Sequence, residues 1–148
     1  MAGRLDGKAA IVTGAGAGIG EAIAQKFVNE GAKVVVAGLP DDPVEDVVRT
    51  IRACGGVAEP FLGDLAEEKD AKACVALAID VFGKLDILVN NAGVFPEIAE
   101  CQDHSIENFD YILRNNVRSA FLMTKFALPH LQRARCRDLD RIGSRRNG

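Results

Sequence analysis

Residues 13–20 read Thr-Gly-Ala-Gly-Ala-Gly-Ile-Gly and follow directly on the apolar run Ala9-Ala10-Ile11-Val12. An apolar run of that length is a buried strand, and a glycine turn ends it just before a helix starting near Ile19. The turn leaves free backbone N–H groups at the helix N-terminus, where the helix dipole favours an anion. Gly14, Gly18 and Gly20 let the backbone take positive φ and let a pyrophosphate approach without meeting a Cβ. A tight strand-to-helix turn without a ligand is the plainer reading, and it would not need three glycines. Gly14, Gly18, Ile19 and Gly20 are therefore expected to cradle a pyrophosphate through their N–H groups.

The spacing narrows the reading. A G-x-G-x-x-G pattern from Gly14 and Gly16 would need glycine at 19, which is Ile19. T-G-x-x-x-G-x-G fits without a gap at Thr13, Gly14, Gly18 and Gly20. That variant resembles the short-chain dehydrogenase/reductase family. Asn90-Asn91-Ala92-Gly93, after Ile87-Leu88-Val89, is similar to the family's second signature. Asp64-Leu65, after Pro60-Phe61-Leu62, resembles its adenine-contacting turn, and Asn116-Val117 resembles the segment with its catalytic Asn. The resemblance covers roughly residues 5–131. It implies hydride transfer between a nicotinamide dinucleotide, NAD or NADP, and a small alcohol or carbonyl, in proteins that are usually homo-oligomers.

Composition agrees with a soluble globular chain: 148 residues, 48% hydrophobic and 26% charged. That length allows one domain with a real core. No apolar stretch approaches the roughly 20 residues that span a bilayer, and Met1–Asp6 does not resemble a signal peptide. A cytoplasmic protein with no membrane partner is expected. Cys54, Cys74, Cys101 and Cys136 form no C-x-x-C pair, and His104 and His130 lack partners at ligand spacing, so no metal site is expected. The net charge of −3 conceals an asymmetry, because residues 133–148 hold six Arg against two Asp. Without aromatic residues or a helical stripe, this basic segment is not read as a nucleic-acid site.

Along the chain, strands at about 9–12, 33–37, 57–62 and 86–89 alternate with helices at about 19–30, 44–53, 67–82 and 106–131. The alternation predicts a parallel sheet with right-handed crossovers. The expected fold is α/β, a Rossmann-type doubly wound parallel sheet, incomplete, with about four strands and the later ones missing. In such sheets ligands sit beyond the strands' carboxyl ends. Gly14–Gly20, Gly38-Leu39, Asp64-Leu65 and Asn91–Gly93 all lie there.

The resemblance implies that Asp64 accepts from the adenine amino group and that Asn91, Ala92 and Gly93 pass the ribose. A turn Asp and a turn Asn pair are the plainer readings. At the end of the second strand, NAD-preferring members carry an acid for the ribose hydroxyls, and NADP-preferring members offer a nearby cation. Here the matching position is Gly38, followed by Leu39-Pro40-Asp41-Asp42, with no cation. Asp41 and Asp42 would repel a phosphate dianion, which favours NAD; Asp42 is otherwise expected to offer at most an exposed contact.

The family's catalytic set is a Ser and a Tyr-x-x-x-Lys pair. Tyr111 is the chain's only Tyr, Asn115 stands four residues on, and no Lys follows Lys125. Of the catalytic set only Asn116 carries over. The 148-residue chain is thus expected to be inactive itself, a nucleotide-binding fragment of a family of enzymes. Residues 1–131 read as the dinucleotide-binding part and 132–148 as an Arg-rich disordered tail. Back-translated with GC-rich codons and slipped by one base, the tail can encode an apolar strand containing Ser. A frameshifted gene is expected to explain it, with a designed or naturally short chain as the rival. The nucleotide sequence beyond the Leu131 codon decides between them.

Overall fold

The computed structural model describes residues 3–95 and 98–143, of which 132–143 as backbone alone. Strands β1 (Ala9–Thr13), β2 (Lys33–Gly38), β3 (Val57–Leu62) and β4 (Ile87–Val89) are joined through helices α1 (Gly18–Asn29), α2 (Val44–Ala53) and α3 (Glu68–Phe82). Helices α4 (Ile106–Leu113) and α5 (Ser119–Gly143) follow β4. All strand pairs are parallel, in the order β3-β2-β1-β4. The chain steps outward from β1 to β3 and then returns to the other side of β1. The topological switch point therefore lies between β1 and β4, which is where a ligand crevice opens in this fold class. The architecture is the incomplete Rossmann-type sheet expected.

The apolar runs explain the layering. In β1, Ala10 and Val12 face one side and Ile11 the other; in β2, Val34 and Val36 oppose Val35 and Ala37. The first side packs Val44, Val47, Val48 and Ile51 of α2 with Ala24 of α1. The second packs Ala71, Cys74, Val75 and Ala78 of α3 with Leu122, Met123 and Ala127 of α5. Runs without polar alternation are what a strand covered on both faces requires. Asp86 precedes β4 rather than starting it. Its Oδ2 accepts from Ala9 N at 2.9 Å and its own N donates to Ala9 O at 2.9 Å, which fixes the entry of β4 beside β1.

The expected helix over 106–131 is present and unbroken, with Arg114–Arg118 forming a π-helical turn between α4 and α5. Its backbone runs on to Gly143, through the first part of the expected Arg-rich tail. Gln, Arg, Ala and Leu are good helix formers, and neither Gly nor Pro interrupts them before Gly143. Residues 144–148 of the expected tail lie outside the described residues. Leu122 of α5 is buried at 5% exposure, whereas Phe109 and Phe121 are 54% and 62% exposed.

Cys74 is fully buried in the second core, and burial pushes its thiol up to about 12. Cys54 and Cys101 are exposed. Because the thiolate is the nucleophile, alkylation of the native chain near pH 8 followed by peptide mass mapping should modify Cys54 and Cys101 and spare Cys74. Labelling of Cys74 at their rate would contradict the packing of α3 on the sheet.

Candidate functional site

At the carboxyl ends of β1 to β4 lies a cavity of about 250 Å³, walled by four segments, one at the end of each strand, and by one from the π-turn region. Gly14, Gly16 and Ala17 come from the turn after β1, Gly38, Leu39 and Asp42 from the end of β2 and the loop beyond it. Gly63–Ala66 follow β3, Ala92–Val94 follow β4, and Asn115 and Ser119 close the remaining side. Of the expected residues, Gly14, Gly38, Leu39, Asp64, Leu65, Ala92 and Gly93 wall the cavity. Gly18, Ile19, Gly20 and Asn91 are not among the residues of its wall.

The glycines of the turn serve distinct ends. Gly14 and Gly18 both take φ +60°, where L side chains are strained. Around Gly18 a Cβ would meet nothing within 4 Å, so its surroundings are open. Gly20 instead sits tight: a Cβ there would run into Gly14 O and lie 2.5 Å from Asn91 Nδ2. Helix α1 starts at Gly18 with Ala17 as N-cap and no side-chain cap. Its first-turn N–H groups are left for an acceptor from outside the helix. Ile19 is 76% exposed, as befits a residue placed for its backbone rather than its side chain.

The turn is clasped to β4 by Thr13 and Asn91. Thr13 Oγ1 accepts from Asn91 N at 3.0 Å and Ala92 N at 2.9 Å and donates to Val89 O at 3.3 Å. Asn91 Nδ2 donates to Thr13 O at 3.0 Å and Gly14 O at 3.1 Å. These two bonds tie the end of β1 to the segment after β4. Thr13→Val keeps the shape and deletes the hydroxyl, leaving two amides and a carbonyl without their partner. Thr13 is only 2% exposed, so a loss of about 2–4 kcal/mol in urea unfolding is expected. A change below about 0.5 kcal/mol would mean that the clasp contributes nothing.

Asp64 fills the plain turn role and more. Its Oδ1 accepts from Ala66 N at 2.9 Å, and its Oδ2 pairs with Arg114 at 2.8 Å. Arg114 also meets Glu67, and the two carboxylates hold its guanidinium above the ordinary Arg value. Asn116 does not wall the cavity. Its Oδ1 accepts from Val94 N at 2.9 Å and its Nδ2 donates to Val94 O at 2.8 Å, so the amide is spent clamping that segment. A Cβ on Gly93 would lie 2.5 Å from Asn116 Oδ1, which explains glycine there.

Asp42 corrects the sequence reading. It is half-buried and walls the cavity, whereas Asp41 is exposed. Gly16, Gly63, Ala66, Val94, Asn115 and Ser119 were likewise not foreseen. Gly16 carried a signal, since it lies inside the glycine turn; Asn115 and Ser119 arrive only because the π-turn sets their helix against the strand ends. Among the described residues no group of three or more His, Cys, Asp or Glu is placed to hold a metal ion. None of their helices is long and apolar enough to cross a membrane.

A nicotinamide dinucleotide fits what is present: an uncapped helix N-terminus, an open left-handed glycine beside it, and a concave wall of glycines and small side chains along the strand ends. Comparison with known proteins points the same way. The short chain dehydrogenase family model matches residues 8–137. An uncharacterized oxidoreductase of Bacillus subtilis, YxbG, is 38% identical over 95% of this chain and 56% of its own length. The 2,5-dichloro-2,5-cyclohexadiene-1,4-diol dehydrogenase LinX of Sphingobium indicum is 37% identical over 88% of this chain and 52% of its own. The crystal structure of a hydroxysteroid dehydrogenase from Escherichia coli superposes with a TM-score of 0.81 at 40% identity, covering 88% of this chain and 55% of that one. The chain spans about half the length of the curated relatives it matches. With the sheet order, the glycine turn and these matches in agreement, the chain belongs to the short-chain dehydrogenase family of oxidoreductases.

Proposed function

We propose that these residues form the dinucleotide-binding part of an NAD(P)-dependent oxidoreductase acting on a small alcohol or carbonyl, with NAD preferred over NADP. The observation that carries this reading is Gly18 at φ +60° in open surroundings, at the uncapped start of α1. The N–H groups of Gly18, Ile19 and Gly20 would hold the pyrophosphate, and Gly14 and Gly16 would let it lie close to the backbone. Asp64 and Leu65 would border the adenine, with Arg114 fixing the Asp64 carboxylate. Ala92 and Gly93, held by Thr13, Asn91 and Asn116, would pass the ribose. When bound, the nicotinamide supplies hydride transfer. This chain's own residues bind and orient; Asn116 is the one member of the family's catalytic set they include, and here its side chain positions Val94.

The lean to NAD is supported by a cavity wall that includes Asp42 and no Lys or Arg, while the wall's other carboxylate, Asp64, is paired with Arg114. A cytoplasmic location, and the absence of nucleic-acid and membrane partners, belong to the same proposal. A second reading, a nucleotide-binding chain without catalysis, is favoured by Tyr111, which stands outside the cavity wall. Calorimetric titration with NAD and NADP tests binding, and turnover of alcohols with NAD separates the two readings. A folded chain that binds neither nucleotide would leave the third reading, a non-functional truncated product.

Self-association is expected as well. Strand β4 is one of the two sheet edges among the described residues, with β3 the other, and Phe109, Leu113 and Phe121 are exposed at intervals that place them along the α4–α5 surface. Unpaired edges and exposed apolar surface both favour pairing with other chains. Light scattering should report particles larger than a monomer at high concentration. A monodisperse monomer would contradict this.

A further inference from the structure

The π-turn presents two rows of side chains to different neighbours. Arg114 and Arg118 face the loop between β3 and α3. Arg114 pairs with Asp64 at 2.8 Å and meets Glu67, and Arg118 Nε donates to Ala66 O at 2.8 Å. Asn115 and Ser119, each one residue further on, wall the cavity beside that same loop. Residues four apart stand one above the other on a helix. The two arginines therefore fix the rotation of this turn, and with it the side on which Asn115 projects. Ser119 is buried, and its hydroxyl donates to Asn115 O.

The Asn115 side chain is half-buried and only partly engaged. One N–H of its Nδ2 donates to Tyr111 O at 2.8 Å. That carbonyl fixes which end of the amide is nitrogen, because an oxygen there would face an oxygen. The second N–H and Oδ1 have no partner among the described residues. No buried side-chain N or O among those residues lacks a partner, so Oδ1 stands open at the wall. Asp64, the other polar side chain beside this loop, is differently committed. Its Oδ1 accepts from Ala66 N at 2.9 Å and its Oδ2 is paired with Arg114.

A planar amide with one acceptor and one donor side by side matches an edge of adenine, where the N6 amino group donates and the ring nitrogen next to it accepts. We propose that Asn115 reads the base of the dinucleotide: Oδ1 accepts from adenine N6–H, and the second N–H of Nδ2 donates to the adjoining ring nitrogen. This rests on the dinucleotide reading of the cavity, and it assigns base selectivity to the π-turn, with the Asp64 carboxylate closed by Arg114 and Ala66 N. Hypoxanthine in the same place presents a carbonyl oxygen to Oδ1. The bond to Tyr111 O keeps the amide from turning over, so acceptor faces acceptor and neither is paired.

The test is calorimetric titration of the 148-residue chain with NAD, with ADP-ribose and with the counterpart of ADP-ribose that carries hypoxanthine for adenine. Wild type, Asn115→Leu and Asn115→Ala are compared. Leu and Ala are better helix formers than Asn, so both variants should keep the wild-type thermal midpoint. Wild type should bind ADP-ribose about tenfold or more tighter than the hypoxanthine compound. In both variants ADP-ribose and NAD should weaken alike, by about tenfold, while the hypoxanthine compound changes little and the preference disappears. If folded variants keep the wild-type preference, the base is read elsewhere, and the dinucleotide reading stands without this assignment. A loss for NAD with none for ADP-ribose would place the amide at the nicotinamide end and overturn the assignment alone, as would a wild type that binds both bases equally. A folded wild type that binds none of the three overturns the assignment and the dinucleotide reading together.

Discussion

No alcohol or ketone is expected to be turned over above background by the 148-residue chain, with NAD or with NADP. Hydride transfer needs a group that passes a proton to or from the substrate oxygen, and positioned acid–base groups contribute about 10²–10⁴-fold in rate. The residue types that resemble the family's pair are not brought together here. Tyr111 is 45% exposed and does not wall the cavity. The position four residues on is Asn115, whose Nδ2 donates to Tyr111 O at 2.8 Å, a contact within the helix and not with the phenol. No lysine stands among the residues of the wall. Spectrophotometric assay of NADH formation across a panel of alcohols measures this. Turnover that survives Tyr111→Phe would contradict it, because the acid–base group would then lie elsewhere in these residues.

Gly20→Val is expected to be the most damaging single change to the fold at the site. A Cβ there runs into Gly14 O and lies 2.5 Å from Asn91 Nδ2 and 2.9 Å from Ala15 Cα. Two of those neighbours are backbone, and the third is the amide that holds the turn to β4. The new atoms can be accommodated only by moving the turn and breaking the Thr13–Asn91 clasp. Overpacking of this kind costs about 3 kcal/mol or more, a large part of the roughly 5–15 kcal/mol of a domain. Gly18→Ala is the informative contrast. Its surroundings are open, so the cost is the left-handed backbone alone, about 1–2 kcal/mol, while nucleotide binding should fall steeply because the new methyl occupies the open space. Urea unfolding of both variants measures the difference. Equal stabilities for Gly20→Val and wild type would mean that the turn is not closed against β4 as described.

The contrast between those glycines shows what could be read from the sequence. The motif spacing places Gly14, Gly18 and Gly20 in one turn, and periodicity places the strands and three helices within a residue or two, because apolar runs and glycine breaks are local signals. Helix α2 is legible to its ends, since Val44, Val47, Val48 and Ile51 form a stripe that all buries. Local signals do not say which glycine is needed for φ and which for close approach. That depends on Asn91, far along the chain. The same limit hid Asp42: its role follows from a loop folding back over Gly38, and composition reads it only as one of two exposed acids. The π-turn at Arg114–Arg118 was illegible for a related reason. Its Arg114 is held by Asp64 and Glu67, its Arg118 by Ala66 O, and its Asn116 by Val94, all from distant segments. Residues 132–143 carry helix formers without an apolar stripe, so periodicity does not mark the helix there.

The most direct measurement is the change in backbone amide resonances of the chain as ADP-ribose is added. That ligand carries the adenine, ribose and pyrophosphate and leaves hydride transfer aside. Saturable shifts are expected at Gly14–Gly18, Leu39, Asp64–Ala66 and Ala92–Val94, the four segments that meet at the strand ends. Shifts centred instead on the shallow hollow formed by Glu45, Arg49, Arg52 and Pro60, or no shifts in a chain whose spectrum is that of a folded protein, would contradict a dinucleotide site at the β1–β4 switch point.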